Sequence, residues 1–181
     1  MIYILTGPID SGKTSQLKNF ITKAQQHDSS IAQVGGFLSL KVYENDQHIG
    51  YNIYDFTTSQ QFPFLRTHTS DQRPATSDMR HETCDVIGKY KLNPQTLSYA
   101  HNLINKAPQY DIFIIDELGP LELQGKGFWP ALEKVINCDT DFLFVIREKL
   151  VEKFLLRFNK TENQVLHYKN DKEKLQQIIC M

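Results

Sequence analysis

Gly7-Pro8-Ile9-Asp10-Ser11-Gly12-Lys13-Thr14 has the form G-x-x-x-x-G-K-T and follows directly on the apolar run Ile2–Leu5. The apolar run predicts a β-strand, and residues 13–27 predict an α-helix with one apolar face. Glycines at both ends of such a loop let the backbone curl, so that successive amide N–H groups point inward at an anion. The dipole of the following helix adds positive partial charge there. The stretch therefore predicts a phosphate-binding loop between a strand and a helix.

Two side chains of this loop carry specific roles in that interpretation. Lys13 supplies a full positive charge to the β- and γ-phosphates of a nucleotide, and the Thr14 hydroxyl is suited to hold Mg²⁺. Asp10 is unusual beside incoming phosphates because its charge opposes theirs, so it either points away or holds the attacking water or the loop geometry. The alternative is a plain glycine turn with a solvated Lys13, which the flanking strand and helix disfavour. The residues expected to contact the nucleotide are Gly7, Pro8, Ile9, Asp10, Ser11, Gly12, Lys13, Thr14 and Ser15.

The composition is that of a globular protein without a strong charge imbalance. The 181 residues are 40% hydrophobic and 23% charged with a formal net charge of −1, which predicts a single domain over residues 1–181. This charge argues against a broad nucleic-acid or membrane surface. No apolar run is long enough to span a bilayer, and Met1 leads straight into the first strand, so no signal peptide is expected. Three widely spaced cysteines indicate free thiols and a cytoplasmic location.

Apolar runs alternate with amphipathic stretches along the chain, which predicts an α/β protein with a mostly parallel sheet flanked by helices. A β-rich insertion follows the first helix, with strands over 32–43, 49–56 and 62–66; the first two form a hairpin around the polar turn 44–47. Residues 67–83 are expected to be a loop long enough to act as a flap. The remaining predicted elements are a short strand at 88–92, a helix over 94–107 capped by Asn93 and ended by Pro108, strands at 111–116, 141–146 and 165–168, and helices at 128–137, 148–158 and 170–179.

A second motif completes the predicted site. The run Ile112-Phe113-Ile114-Ile115-Asp116-Glu117 is an apolar strand that ends in two carboxylates, which is the form of a Walker B element. Parallel sheets bind ligands at the carboxyl ends of their strands, so we expect Asp116 beside the phosphate loop, holding Mg²⁺ directly or through water. Glu117 is expected to act as the general base that activates the attacking water. The alternative, a strand that merely ends in a polar turn, is disfavoured by the loop at residues 7–14.

The spacing of the two motifs limits which P-loop folds are possible. Asp116 lies more than one hundred residues after Thr14, with several predicted strands between them, which leaves room for an extra strand between the two motif strands. Such an insertion, together with a glutamate beside the Walker B aspartate, is typical of the RecA-like branch of P-loop proteins. Nucleotide kinases usually place the two motif strands side by side and lack this glutamate.

Three further positions are candidates for supporting roles. Phosphoryl transfer needs positive charge beyond Lys13, and Arg147 follows the predicted strand 141–146 at the end that faces the ligand, so we expect it to be catalytic. The alternative is a surface arginine at a helix start, paired with a nearby carboxylate. Tyr51 can contact the nucleotide or simply pack on the sheet. Glu122 either supports the metal site from behind or is a solvated turn residue.

Taken together, these motifs resemble the small P-loop nucleoside-triphosphatases first characterised from thermophiles, a family with cancer-related eukaryotic members. The resemblance implies a RecA-like fold and Mg²⁺-dependent hydrolysis of nucleoside triphosphates to diphosphates, with loose base selectivity. Pro120 stands where many members have lysine, so any phosphate role of that lysine is absent here. Over residues 1–158 the resemblance also includes Gly35-Gly36-Phe37, Gly50-Tyr51, Gly88-Lys89-Tyr90, Asn93-Pro94 and the block Asp116–Leu123.

Two other functions stay open at this point. A small-molecule or nucleotide kinase would use the same loop and pass the γ-phosphate to an acceptor held under the 67–83 segment, which carries only Arg73 and Arg80. A nucleotide-gated binding module would turn over very slowly and present the insertion at 32–66 as a partner surface ordered by nucleotide. Phosphate release without an acceptor distinguishes hydrolysis from the kinase, and a partner retained only in the triphosphate state indicates the binding module.

Overall fold

A nine-stranded sheet forms the centre of the computed structural model, which describes residues 1–26, 33–67, 86–158 and 163–179. Helices cover both faces of the sheet, and short 3₁₀ turns occur at Ala107–Gln109 and Glu148–Leu150. The strands are β1 Ile2–Thr6, β2 Val34–Glu44, β3 Gln47–Asp55, β4 Gln60–Thr67, β5 Val86–Ile87, β6 Tyr90–Leu92, β7 Ile112–Leu118, β8 Asp141–Ile146 and β9 Asn163–His167. The helices are α1 Lys13–Gln26, α2 Pro94–Asn105, α3 Pro120–Leu123, α4 Trp129–Val135, α5 Val151–Phe158 and α6 Lys172–Ile179.

The strand order is β5-β6-β4-β3-β2-β7-β8-β1-β9. The five strands from β2 to β9 in this order are parallel to their neighbours, and the insertion continues the same sheet with antiparallel strands. Because β8 lies between β1 and β7, the extra strand expected between the two motif strands is present. The RecA-like α/β fold predicted from the sequence is thereby confirmed.

Alternate residues of the central strand β7 face two separate apolar layers. Ile112 and Ile114 pack with α1 and α6 on one face of the sheet, whereas Phe113 and Ile115 pack with α2, α4 and α5 on the other. A parallel strand that is covered on both faces must be apolar throughout, which explains the continuous hydrophobic run. The apolar stripe predicted for α1 is buried in the first of these layers and consists of Leu17, Phe20, Ile21 and Ala24.

The strand β2 belongs to both halves of the sheet. Its residues Val34–Phe37 pair in parallel with β7, and the rest of the strand pairs only with β3, so the β2–β3 hairpin extends past the parallel strands. The hairpin closes through Asn45 and Asp46, both in the left-handed region, as the favoured two-residue hairpin turn requires. Gly36 has φ +125°, and a Cβ there would lie 2.0 Å from the carbonyl oxygen of Ile114. A glycine is therefore required where β2 approaches β7.

Several predicted elements differ from the structure in detail. The strand expected at 88–92 is shorter in the structure, because Gly88 and Lys89 form the turn between β5 and β6 and only Tyr90–Leu92 is extended. The helix expected at 94–107 begins as predicted, since the Asn93 side chain accepts hydrogen bonds from the Gln95 and Thr96 amides, but ends at Asn105. The short helix α3 was not predicted, and most of the loop expected at 67–83 lies outside the described residues. None of the helices described is both long and apolar enough to cross a membrane.

Candidate active site

The carboxyl ends of β1, β7 and β8 and one face of the β2–β3 hairpin surround a cleft of about 630 Å³. Eleven of the twelve predicted site residues line this cleft: Gly7, Ile9, Asp10, Ser11, Gly12, Lys13, Thr14, Ser15, Asp116, Glu117 and Arg147. Pro8, the remaining residue of the loop, contributes its carbonyl oxygen to the same network. The two sequence motifs therefore meet in one place, as the parallel topology requires.

The phosphate loop folds over the Lys13 side chain. The Lys13 Nζ donates hydrogen bonds to the carbonyl oxygens of Gly7 at 3.1 Å and Pro8 at 2.6 Å and to the Ser11 hydroxyl at 3.2 Å. Partial burial lowers the pKa of Lys13, while the carboxylates of Asp116 and Glu117 oppose this shift. All three acceptors are neutral, so an anion placed in the loop can compete for the ammonium group through a stronger, charge-assisted hydrogen bond.

Tyr168, in the turn after β9, supports the loop from behind. A Cβ at Gly7 would lie 3.1 Å from the Tyr168 Cβ, and a Cβ at Gly12 would lie 3.1 Å from the Tyr168 hydroxyl oxygen. The two glycines have φ of +148° and +89°, which an L side chain rarely adopts. Both loop glycines are thus needed for backbone conformation and for the approach of this ring. The sequence analysis missed Tyr168, because only the pairing of β9 with β1 brings it to the loop.

Asp116 joins the two motifs directly. The Thr14 hydroxyl donates a hydrogen bond of 2.8 Å to Asp116 Oδ2, which also accepts the Ser39 amide at 3.1 Å. The Ser39 hydroxyl in turn donates to the Asp116 carbonyl oxygen at 2.9 Å. Only 2% of Asp116 is exposed, and this burial raises the pKa of its carboxyl group to about 7. Ser39 was not predicted, because nothing in a hairpin strand marks one serine as a neighbour of this carboxylate.

The Thr14–Asp116 pair suits a magnesium ion. A hydroxyl and a carboxylate are hard oxygen donors, and Mg²⁺ in nucleotide sites commonly takes one or two protein ligands and fills its shell with phosphate oxygens and waters. The buried charge of Asp116 lacks a cation directly bonded to it among the described residues. In the described ranges no group of three or more His, Cys, Asp or Glu could hold a metal by itself. The donor set therefore fits a metal that arrives with a nucleotide.

A β-bulge turns Glu117 into the cleft. Pairing between β7 and β8 shifts register between Ile115 and Leu118, and Leu118 packs in the same apolar layer as Ile115, although the alternation of a regular strand would place it opposite. Glu117, inside this irregularity, has φ +73°. A left-handed backbone at a residue other than glycine costs about 1–3 kcal/mol and occurs preferentially at functional sites. The bulge thus keeps Glu117 out of the core and directs it to the ligand side.

Arg147 forms an ion pair with Glu117 across the cleft. Its Nε donates to Glu117 Oε1 at 3.1 Å, and its Nη2 contacts the same oxygen. This hydrogen bond, with the negative charge of Glu117, raises the pKa of Arg147. The alternative interpretation of Arg147 expected a pair with a nearby carboxylate. Such a pair is present, and the carboxylate is that of Glu117. The arginine lines the same cleft as the phosphate loop.

Other predicted supporting residues have different positions. Glu122 is buried rather than solvated; its carboxylate accepts the Gly119 amide at 2.8 Å and the Phe128 amide at 3.0 Å, which fixes the loop between α3 and α4. Tyr51 lines the cleft, and burial, followed by the charge of Glu117, raises its pKa to about 12. The sequence analysis did not identify Lys41 and Tyr43, which line the cleft on the same strand face as Ser39.

Burial makes the charged form of Asp116 unfavourable in the folded protein. Replacing this carboxylate with a neutral amide should therefore stabilise the fold. Asp116→Asn is expected to raise the free energy of unfolding by about 2 kcal/mol at pH 8 without metal, equivalent to about 6 °C in Tm. The matched control is Asp55→Asn, because Asp55 is equally buried but accepts hydrogen bonds from Thr57, Thr58 and Tyr99 that together outweigh its desolvation and lower its pKa. That variant is expected to lose stability. Thermal unfolding in EDTA measures both.

The stability gain expected for Asp116→Asn depends on pH, as the direction of the pKa shift of Asp116 requires. The pKa of Asp116 rises from 3.8 to about 7 on folding, so between these values the folded protein holds a proton that the unfolded chain has released. The free energy of unfolding therefore falls as pH rises through this window, and the full penalty is present above about pH 7. The stabilisation by Asp116→Asn should shrink as pH is lowered from 8 to 5. An unchanged or lowered Tm at pH 8 contradicts the prediction.

Comparisons with known proteins identify the family of this chain. The NTPase family model matches residues 2–180. The nucleoside-triphosphatase THEP1 of Methanopyrus kandleri is 26% identical over 147 residues, covering 81% of this chain and 73% of the relative, and that of Saccharolobus solfataricus is 28% identical over 146 residues, covering 78% and 73%.

Two solved structures share the fold. The crystal structure of THEP1 from Aquifex aeolicus superposes with a TM-score of 0.69 at 18% identity, covering 99% of both chains. The solution structure of a human cancer-related nucleoside triphosphatase superposes with a TM-score of 0.66 at 21% identity, covering 98% of this chain and 94% of that one. The family match extends past residue 158, where the resemblance expected from sequence motifs ended. This chain belongs to the NTPase family, and the protein is accordingly an NTPase.

Proposed function

We propose that this NTPase hydrolyses nucleoside triphosphates to diphosphates and phosphate in a Mg²⁺-dependent reaction with loose base selectivity. The observation that carries the proposal is the 2.8 Å hydrogen bond between Thr14 of the phosphate loop and Asp116 of the Walker B strand. It joins an anion-binding loop to a buried carboxylate in a cleft that is large enough for a nucleotide.

The loop residues provide binding and charge neutralisation. The amides between Gly7 and Thr14, at the N-terminus of α1, would bind the β-phosphate. Lys13 exchanges its three neutral acceptors for phosphate oxygens, so its positive charge is already in place when negative charge develops. In this way the loop contributes mainly positioning and electrostatics, which are the principal demands of phosphoryl transfer.

Thr14 and Asp116 would hold the metal. Mg²⁺ bound there would neutralise part of the charge on the β- and γ-phosphates. Asp116 must be ionised to act as a ligand, and burial makes that ionisation unfavourable without a cation. The Ser39 amide and the Thr14 hydroxyl fix the orientation of the carboxylate in advance.

Glu117 and Arg147 would divide the remaining chemistry. As general base, Glu117 accepts a proton from the attacking water, and release of its Oε1 from Arg147 would make the carboxylate a stronger acceptor. A triphosphate offers the guanidinium a more highly charged partner, to which it can bind bidentately. In this proposal the Glu117–Arg147 ion pair is the arrangement before nucleotide binds. When Arg147 exchanges Glu117 for the triphosphate, the carboxylate becomes available as base and the guanidinium adds positive charge at the phosphates.

Release of phosphate from ATP, GTP, CTP and UTP tests the proposal. Purified protein should release phosphate from all four with Mg²⁺, with rates within about tenfold of one another, and lose the activity in EDTA. Release that occurs only after an acceptor is added would instead indicate a kinase. Tight nucleotide binding without turnover, with a partner retained only in the triphosphate state, would indicate a binding module.

The proposed location is the cytoplasm, which the near-neutral composition and the three widely spaced cysteines of the sequence support. The proposed substrate is a free nucleotide rather than a nucleic acid, because the net charge is −1 and the phosphate loop requires only a terminal polyphosphate.

A further inference from the structure

One cation that lines the cleft, Lys41, belongs to neither sequence motif and has no role in the reaction proposed above. Lys41 lies on β2 and forms an ion pair with Asp10, the acidic residue of the phosphate loop. Ser39, Lys41 and Tyr43 alternate along the strand, so their side chains share the face that lines the cleft. At one end of this face Ser39 contacts Asp116. Lys41 therefore lies between the buried carboxylate and the tip of the loop.

The charges that line the cleft balance in the described structure. Three cations (Lys13, Lys41 and Arg147) face three carboxylates. The two cations that lie outside the motifs are each paired with a carboxylate, Lys41 with Asp10 and Arg147 with Glu117. A nucleoside triphosphate brings excess negative charge even with Mg²⁺ bound, so its arrival should favour rearrangement of these pairs.

Asp10 is the group that an incoming triphosphate opposes most directly. It lies within the anion-binding loop, has a left-handed φ of +59°, and leaves 65% of its side chain exposed. An exposed ion pair contributes little stability, and a released carboxylate at this position can be solvated by water. The pair is therefore easily broken when a stronger anion is available to the lysine.

We propose that Lys41 is a further phosphate-binding residue. Its side chain breaks the ion pair with Asp10 and binds the terminal phosphate of the nucleotide. This inference rests on the proposed function. A lysine suits the role because its compact ammonium group, on a flexible stem, can move between two acceptors. The hydrogen bond that Lys41 donates to Asp10 raises the pKa of Lys41, and the nearby charge of Glu117 acts in the same direction, so the side chain is cationic at neutral pH.

Binding of a non-cleavable triphosphate and of a diphosphate, each with Mg²⁺, tests the proposal in the intact protein. Lys41→Gln should weaken triphosphate binding about tenfold and diphosphate binding less than about twofold, because only the triphosphate carries the group that Lys41 binds. Lys41→Arg, which retains the charge, should recover most of the difference. Lys18→Gln is the matched control, since Lys18 is exposed on α1 and does not line the cleft.

Asp10→Asn separates phosphate binding from simple masking of the loop carboxylate. If Lys41 binds the terminal phosphate, Asp10→Asn alone should strengthen triphosphate binding, and Lys41→Gln should still weaken it in the Asp10→Asn background. If Asp10→Asn restores Lys41→Gln to wild-type affinity, Lys41 only masks Asp10 and the proposal is overturned. Equal losses for the two nucleotides, or no loss, also overturn it. Failure of the wild type to bind any triphosphate would refute the proposed function instead.

Discussion

Glu117→Gln is expected to slow phosphate release about a thousandfold while nucleotide affinity stays within about threefold of the wild type. Glutamine keeps the size and shape of the side chain but cannot accept the proton of the attacking water. The loop, Thr14 and Asp116 remain intact, so the binding site should be preserved. Single-turnover phosphate release, together with binding of a non-cleavable triphosphate, measures the two quantities separately.

The ion pair with Arg147 provides an internal check on this variant. Glu117→Gln removes a partly exposed pair, which should change the free energy of unfolding by less than about 1 kcal/mol, so lost turnover cannot be explained by lost folding. Glu148→Gln makes the same chemical change at an exposed position next to Arg147 and should keep full activity. Wild-type turnover in Glu117→Gln would show that the general base is another group.

Lys13→Ala is expected to lower kcat/KM by about a thousandfold, because it removes a preorganised charge at the reacting phosphates. Unlike Glu117→Gln, it should also weaken binding of the non-cleavable triphosphate, by tenfold or more, because the ground-state nucleotide carries the charge that Lys13 meets. The two variants should therefore differ in KM as well as in kcat.

The control for Lys13→Ala is Lys23→Ala, which changes an exposed lysine in the last turn of the same helix. It should leave both kinetic constants unchanged. The three oxygens that Lys13 contacts in the structure are partly exposed, so water can replace the ammonium group and the loop should remain folded. Retained triphosphate affinity in Lys13→Ala would place the polyphosphate outside this loop.

The sequence predicted the parts of the site that local chemistry determines. The loop at residues 7–14 and the acidic end of β7 each carry a recognisable pattern, and their meeting follows from the common edge at which parallel strands end. The helix start at Asn93 was equally predictable, because an asparagine cap and a following proline act within a few residues.

Contacts that depend on strand order or register could not be predicted in this way. Tyr168 reaches the loop only because β9 is the neighbour of β1, and no pattern in the chain specifies that neighbour. Lys41 and Ser39 have the alternation expected of any strand with one polar face, so the sequence does not distinguish a cleft from solvent. The bulge at Glu117 interrupts a regular pattern at a place where the residue types give no signal.

The left-handed backbone at Glu117 has a consequence for how this position responds to selection. Glycine would adopt φ +73° without strain, so Glu117→Gly should make folding more favourable by about 1 kcal/mol if the bulge is retained. A screen for thermal resilience alone would therefore tend to replace the carboxylate that we propose as the base. Stability favours glycine at residue 117, whereas turnover requires glutamate. Stabilised versions of the enzyme should therefore be selected with residue 117 kept as glutamate.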